Sequence, residues 1–375
     1  MNHEVKLNAP ERVLEDSREK HKRIRAFLEE SGFTGTVITT REHFAWVTSG
    51  GNNVLLRNTS LGAGSIVITK DKQFLVAHSM DAERLHQEQA AGQGYELVVM
   101  RWYEGDIREK AAKLAGKNPA SDTDFPGTTN TYTDFVDLHY PMTELEVERE
   151  RWIGRAVDTL FTGFAKTVNP GEAEKEIASR FHCLHLQNGF EVDVLIVGAD
   201  ERCFQFRHPL PTINKLDKYL MLHTVARRWG LHCNLTRFVN FGEPPEKVTK
   251  VYDAAANVAA RVLLSLEPGV RFSDILAWEK RWYAEQGYPE EWRNHFQGGP
   301  TGYVIADAAR CFTDNVVQVN QPYEWFITVT GAKMGELSLL TRDGMEIPSL
   351  DQSEWPKMKV KTELGEMDLP DIYTM

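Results

Sequence analysis

The stretches YLMLH at residues 219–223 and GLHCNLTRF at residues 230–238 decide the fold of this chain. Both predict short strands, and we expect the two strands to pair. Side chains of a strand alternate between its two faces, so His232 and Asn234 point to one side and Cys233 to the other. His223 and Asn234 are 11 residues apart. The two strands therefore carry an imidazole and an amide within an otherwise apolar segment.

The composition limits the class of protein. The chain has 375 residues, of which 42% are hydrophobic and 26% charged, as in globular proteins. This length exceeds one ordinary core, so we expect two domains. The formal net charge of −11 disfavours a surface for nucleic acid or anionic membrane, because both need concentrated Lys and Arg. A small-molecule substrate is the expected partner.

The expected location of the protein and the redox state of its cysteines are inferred from motifs that the sequence lacks. The chain has no run of about 18 apolar residues, and its start lacks a basic region followed by an apolar stretch. These patterns predict a cytoplasmic protein. The four cysteines, Cys183, Cys203, Cys233 and Cys311, form no Cys-x-x-Cys pair. We expect them to be reduced thiols.

The first part of the chain has the pattern of an α/β domain. Helical spacing of apolar residues predicts a helix over 16–31, and apolar runs predict strands at 36–38, 65–68 and 73–76. Residues 117–130, rich in Lys, Asn, Pro, Gly and Thr, predict a loop. The resulting division gives a domain of residues 1–141 and a second of residues 142–375.

The second part contains a repeated pattern. A long helix from Met142 ends before Pro170-Gly171, and another helix follows it. The same helix, Pro-Gly, helix unit recurs 98 residues later at Pro268-Gly269. Strands follow each copy, which predicts an internal duplication of two halves around a central cleft.

Several segments, taken in order along nearly the whole chain, resemble the creatinase/Xaa-Pro aminopeptidase family. They are residues 38–48 (ITTREHFAWVT), 144–156, 170–174 (PGEAE), 207–212 (RHPLPT), 234–238 (NLTRF), 241–244 (FGEP), 295–302 (HFQGGPTG) and 340–344 (LTRDG). The resemblance implies a pita-bread domain behind a smaller N-terminal α/β domain, and a homodimer. The expected fold class is therefore α/β (α+β).

The resemblance also implies a two-metal site, whose ligands are missing here. The family's two aspartates fall on His223 and Asn234, and its histidine falls on Gly299 or Gly298. Its two glutamates fall near Thr328 and near Gly335 or Glu336. Two hard cations need about five ligands, mainly carboxylates, and at most one carboxylate remains. We therefore expect no metal and no other cofactor.

Polar residues around the expected cleft are the candidate site residues. We interpret His208 and His223 as candidate catalytic residues. The candidate substrate contacts are Asn234, His232, His295, Gln297, Thr328 and Glu336. Some have structural alternatives: His223 as a buried histidine bonded to a carbonyl, His208 as a loop residue and His232 as an exposed strand residue. Arg237 is expected to be a structural arginine paired with a carboxylate.

Three functions fit this set. The first is a metal-independent hydrolase or lyase of a small amino-acid-like or peptide-like substrate, resembling creatinase, in which a histidine carries protons. The second is a mononuclear metal hydrolase that uses His208, His223 and His232. The third is a catalytically silent module that binds a small molecule or a protein.

Overall fold

The computed structural model describes residues 2–306 and 313–375, so Cys311 lies outside the described residues. The chain divides into two compact units. The first covers the chain up to Leu145 together with residues 229–231, and the second covers residues 146–228 and 232–375. The domain boundary expected after residue 141 stays a prediction. No helix within the described residues is long and apolar enough to cross a membrane.

The structure describes eleven α-helices. They are α1 (Asn2–Leu7), α2 (Pro10–Ser31), α3 (Arg41–Val47), α4 (Ala82–Arg84), α5 (Ile107–Ala115), α6 (Tyr132–Leu138), α7 (Glu144–Ala165), α8 (Glu174–Gln187), α9 (Glu201–Gln205), α10 (Glu246–Leu264) and α11 (Phe272–Glu285). Shorter turns of other helical types lie at Leu85–Gln89, Glu291–Asn294 and Pro348–Leu350.

Eighteen strands are described. They are β1 (Gly35–Thr40), β2 (Leu61–Thr69), β3 (Gln73–His78), β4 (Glu96–Met100), β5 (Pro119–Ser121), β6 (Thr129–Asn130), β7 (Glu191–Ala199), β8 (Tyr219–Arg228), β9 (Leu231–Asn240), β10 (Gly298–Pro300), β11 (Gln321–Trp325), β12 (Ile327–Val329), β13 (Ala332–Met334), β14 (Leu337–Thr341), β15 (Gly344–Glu346), β16 (Lys357–Thr362), β17 (Gly365–Pro370) and β18 (Tyr373–Thr374).

The first unit is built on a six-stranded sheet of order β4-β3-β2-β1-β5-β6. Strand β1 is buried along its whole length, as its apolar and β-branched residues require. Helix α5 covers one face, where Ala111 packs against Val37 and Val67. The predicted loop at 117–130 is wrong in part, since β5 and β6 lie there. Strand β5 is defined by its main-chain pairing with β1. Its sequence contains no apolar run that would predict a strand.

The second unit contains two four-stranded sheets, of order β18-β9-β8-β7 and β10-β11-β14-β15, and two hairpins, β12-β13 and β16-β17. Strands β8 and β9 are buried at nearly every position. At one end of the sheet, Met221 and Phe238 belong to the core formed with α10. Tyr252 of α10 packs edge-on against Phe238, with ring centroids 5.7 Å apart. This packing fixes the β8-β9 pair that the sequence predicts.

The two predicted helix pairs are present as α7 with α8 and α10 with α11. The turn before the second helix of each pair has a glycine at positive φ, Gly171 at 89° and Gly269 at 92°. Their amide N–H groups donate to Leu216 O and to Val317 O, at 2.7 and 2.9 Å. Both turns are thus built and anchored in the same way. The internal duplication itself stays a prediction.

Arg237 lies on the face of β9 opposite Asn234 and is fully buried. Its guanidinium donates to Asp158 of α7 at 2.9 Å and to Glu336, which precedes β14. It also lies over the ring of Trp355, 5.6 Å from the centroid. Arg237 is therefore the structural arginine that the sequence predicts, and it joins three elements of the unit.

We expect Arg237→Met to lower the free energy of unfolding by about 3–5 kcal/mol, because it leaves two buried carboxylates without their cation. Urea denaturation at neutral pH would measure this loss. The matched control is Arg281→Gln, which breaks an exposed pair with Glu285 and should change stability by no more than about 0.5 kcal/mol. A loss at Arg237 as small as that of the control would contradict the structural role.

Candidate functional site

The candidate site lies on the face of β8 and β9 beyond the apolar end formed by Met221 and Phe238. His223 of β8 is 2% exposed, and its Nδ1 lies 2.9 Å from Oγ1 of Thr236 on β9. Burial lowers the pKa of His223 well below its usual value, and the positive fields of Lys333, His208 and His295 lower it further. His223 is therefore neutral at neutral pH and is better suited to hold Thr236 than to carry a proton.

Asn234 is the second residue of this face, and its side chain is fully buried. Neither Nδ2 nor Oδ1 of its amide has a hydrogen-bond partner among the described residues. A buried polar group without a partner costs roughly 1–3 kcal/mol. The amide of Asn234 is thus available to a ligand, as the sequence predicts for a substrate contact.

His208 and His295 form a direct pair, with their Nε2 atoms 3.2 Å apart. Nδ1 of His295 bonds the carbonyl oxygen of Phe296, so this nitrogen must carry the proton and donate it. A neutral His295 then has only Nε2 as an acceptor, and His208 must donate its Nε2 proton to it. Burial lowers the pKa of His295 to about 4 and also lowers that of His208, so both rings are neutral at neutral pH.

Lys333 of β13 is a residue that sequence reasoning missed. Its side chain is 3% exposed and lies 5.3 Å from the ring centroid of Phe326, a ring that also packs against His295. Burial lowers the pKa of Lys333 to about 7, and nearby Arg207 acts in the same direction. The site thus collects three imidazoles and a lysine.

Two predicted contacts, His232 and Gln297, have their polar atoms engaged elsewhere. His232 uses Nδ1 on Gly302 O at 2.7 Å and Nε2 on Asp193 at 3.0 Å. Gln297 donates to Trp292 O and His295 O and accepts from Tyr283. These bonds make His232 and Gln297 structural residues, so we correct their interpretation as substrate contacts.

Glu336 also differs from the expectation, whereas Thr328 stays beside the site. Glu336 turns to the opposite side of β9, where Arg237 and Ser349 bind its two oxygens, so it is not a substrate contact. Thr328 lies across from Lys333 in the β12-β13 hairpin, which keeps it beside the site. Its hydroxyl donates to Phe326 O at 2.8 Å and can still accept a hydrogen bond.

The residues present do not fit the two-metal site that the resemblance implies. Within residues 2–306 and 313–375, no three His, Cys, Asp or Glu side chains are arranged to hold a metal ion. A Cβ at Gly298 would lie 2.4 Å from Glu324 O, and one at Gly335 would lie 2.6 Å from Thr236 Oγ1. A side chain that could bind a metal at either position would therefore clash with these neighbouring atoms. The three-histidine alternative also fails, because both ring nitrogens of His232 are already used.

Buried carboxyl groups lie near Cys233. Glu150 of α7 is fully buried, and neither of its oxygens has a hydrogen-bond partner in the part of the chain that the structure describes. Burial raises the pKa of Glu150 well above its usual value, and the charges of Glu146 and Glu324 raise it further. Glu324 accepts from Ala306 N at 2.6 Å, and burial raises its pKa as well. Glu150 is therefore protonated in the folded protein.

Comparison with protein families supports the fold and the expected relationship. Residues 148–331 match the model of Metallopeptidase family M24. The Xaa-Pro dipeptidase of Pyrococcus horikoshii is 20% identical over 224 residues, which are 56% of this chain and 62% of that protein. The chain thus spans about three fifths of the length of this curated relative.

Solved structures share the architecture of this chain. The Xaa-Pro dipeptidase from Bacillus anthracis has a TM-score of 0.72 and 18% identity, over 96% of this chain and 100% of that one. The prolidase from Pyrococcus horikoshii has a TM-score of 0.75 and 18% identity, over 90% and 99%. The N-terminal domain of the FACT complex subunit SPT16 from chickpea (Cicer arietinum) has a TM-score of 0.68 and 10% identity, over 90% and 96%. The predicted α/β pita-bread fold is confirmed.

We expect Glu150→Gln to stabilise the protein at neutral and alkaline pH. The folded state keeps the Glu150 proton above pH 4.5 whereas the unfolded state loses it, so stability falls by about 1.4 kcal/mol per pH unit up to the folded pKa. Gln has no proton to lose. Thermal melting at pH 5 and pH 8 should therefore show a larger gain at pH 8.

The control for this variant is Glu243→Gln, which removes an exposed carboxylate. We expect its melting temperatures to follow those of the unmodified protein at both pH values. If Glu150→Gln gains as much at pH 5 as at pH 8, the buried group is not protonated as described.

Proposed function

We propose that this chain, whose residues 148–331 form a domain of metallopeptidase family M24, is a metal-independent hydrolase or lyase. Its substrate would be a small amino-acid-like or peptide-like molecule. The observation that carries this proposal is the hydrogen-bonded pair of His208 and His295, which takes the place of metal ligands as the reactive group of the site.

The His208–His295 pair can act as a base at neutral pH. His208 donates its Nε2 proton to His295, which leaves Nδ1 of the exposed His208 ring free to take a proton from water or substrate. Its pKa lies below 6.5, so the free base predominates at pH 7. His295 fixes the orientation and tautomer of His208 and is a positioning residue.

Binding groups would come from the neighbouring strands. The unpartnered amide of Asn234 can both donate to and accept from a peptide-like group, and Thr328 can accept from an N–H. Both lie in the second unit, as do His208 and His295. These residues favour a small polar substrate. They offer few contacts, but the amide of Asn234 is already removed from water before the substrate binds.

A catalytically silent binding module is the second candidate. The observation in its favour is that His223, one of the two predicted catalytic histidines, is buried and bonded to Thr236. A ligand that binds Asn234 without being converted would fit this arrangement. The homodimer and the cytoplasmic location stay predictions.

The first test concerns metal dependence. We expect purified protein to hold less than one manganese, cobalt or zinc ion per chain by elemental analysis. Turnover of a panel of Xaa-Pro dipeptides, N-substituted amino acids and guanidino acids, followed by mass spectrometry, should not change with EDTA or added metal. Two tightly bound ions per chain, or activity that EDTA removes, would contradict the proposal.

The second test concerns His208. We expect His208→Gln to reduce kcat on any substrate found by about 10²–10⁴-fold, the usual contribution of a general base, with little change in melting temperature. The pH profile of kcat/KM should be flat above pH 6.5 and fall at a lower pH.

The matched control is His232→Gln. Because His232 bonds Gly302 and Asp193, its replacement should lower the melting temperature and leave the kcat of the folded protein nearly unchanged. Binding of a panel compound without turnover, unaffected by His208→Gln, would favour the binding module instead.

A further inference from the structure

Lys333 is a buried amine that has no partner anion among residues 2–306 and 313–375. Its side chain is 3% exposed, and it forms no hydrogen bond or ion pair with these residues. Its Nζ lies 5.3 Å from the ring centroid of Phe326. A buried charge without a counter-ion is strongly unfavourable, so the environment favours the neutral amine. A neutral amine is a nucleophile, whereas an ammonium ion is not.

The groups around Lys333 do not supply the missing anion. Arg207 is already bound to Glu291 and donates to Thr328 O at 3.3 Å, so the nearby acid is engaged. The charge of Glu324 favours the protonated lysine, but this effect is smaller than the effects of burial and of Arg207, and the pKa of Lys333 is about 7.

Lys333 also lines a small pocket, partly open to solvent, together with Arg207, Met221, Thr328 and Thr330. Cys203 lines the same pocket, but burial raises the pKa of its thiol far above neutral pH and its Sγ donates to Gly198 O at 3.3 Å. Of the nucleophilic side chains at this pocket, the lysine is the one in a reactive form.

We infer that Lys333 is a nucleophilic amine that captures a small aldehyde or ketone as an imine. The inference is independent of the hydrolase or lyase proposed above, since capture needs only the amine and its pocket. It assigns this chain a covalent site for carbonyl compounds.

The step is balanced and involves no oxidation. The nitrogen of Lys333 forms a bond to the carbonyl carbon, and a proton moves from nitrogen to oxygen to give a carbinolamine. The carbon–oxygen bond then breaks, and water leaves with the former carbonyl oxygen and both amine protons.

The test uses the full-length protein with limiting propanal and sodium cyanoborohydride at pH 7, where cyanoborohydride supplies the hydride that traps the imine. Peptide mapping by mass spectrometry follows propylation at each lysine with time. We expect Lys333 to be labelled at least about tenfold faster than Lys361, whose side chain is 78% exposed, because ordinary lysines are almost fully protonated at pH 7. Equal or slower labelling of Lys333 would overturn the inference.

Two variants and one condition complete the test. Lys333→Arg keeps a cation but has no primary amine, so it should remove this label and leave that of Lys361 unchanged. Thr330→Phe fills the pocket and should slow labelling of Lys333 by several-fold, and an unchanged rate would overturn the role of the pocket. In urea, which unfolds the protein, Lys333 should be labelled no faster than Lys361. If faster labelling of Lys333 persists there, the folded environment is not its cause and the inference fails.

Discussion

The site depends on the buried interaction of Arg237 with Asp158 and Glu336. One guanidinium fixes helix α7, strand β9 and the segment that leads into β14. Because Glu336 is held on the far side of β9, the preceding Gly335 can approach the near side, where its carbonyl oxygen accepts from Thr236 N at 2.9 Å. The carboxylate of Glu336 thus lies next to the site, but its role is structural because it binds Arg237 and Ser349.

The chemistry of the site follows from the loss of negative charge. Bridging carboxylates suit hard cations, whereas this face presents neutral imidazoles, an amide and a lysine. Burial is the main reason why the pKa values of His223 and Lys333 are both lowered, and neighbouring positive groups, Lys333 for His223 and Arg207 for Lys333, lower them further. Unprotonated basic nitrogens can accept protons and can form bonds to carbon. The residues of this site therefore favour acid–base and nucleophilic chemistry, whereas a metal site would supply a Lewis acid.

Much of the fold could be predicted from the sequence because local patterns carry it. Helical periodicity and the Pro-Gly turns predicted α7, α8, α10 and α11, and alternation placed His232 and Asn234 on one face. The strands β5 and β6 were missed because pairing with a neighbouring strand defines them.

The candidate site was harder to predict, since its composition depends on contacts between distant segments. The signal for Glu150 was present, because Glu146, Glu150 and Ile153 share a stripe of α7 with apolar residues. Lys333 stands two residues before Gly335, and alternation puts both on the same face. Because the register of this segment was uncertain from the sequence, Glu336 was predicted as the site residue instead. The partners of His232 and Gln297 come from other elements, so no local pattern could show that their polar atoms were already engaged.

The close packing at Gly298 and Gly335 limits how this protein can be re-engineered. Introducing the missing donor atoms by substitution would require strand β11 and the hydroxyl of Thr236 to move before any ion could enter. Regaining a metallopeptidase centre therefore requires the backbone at Gly298 and the packing against Thr236 at Gly335 to change, in addition to the exchange of side chains. A designer would have to rebuild two strand contacts first, whereas the organic groups already in place can be varied one at a time.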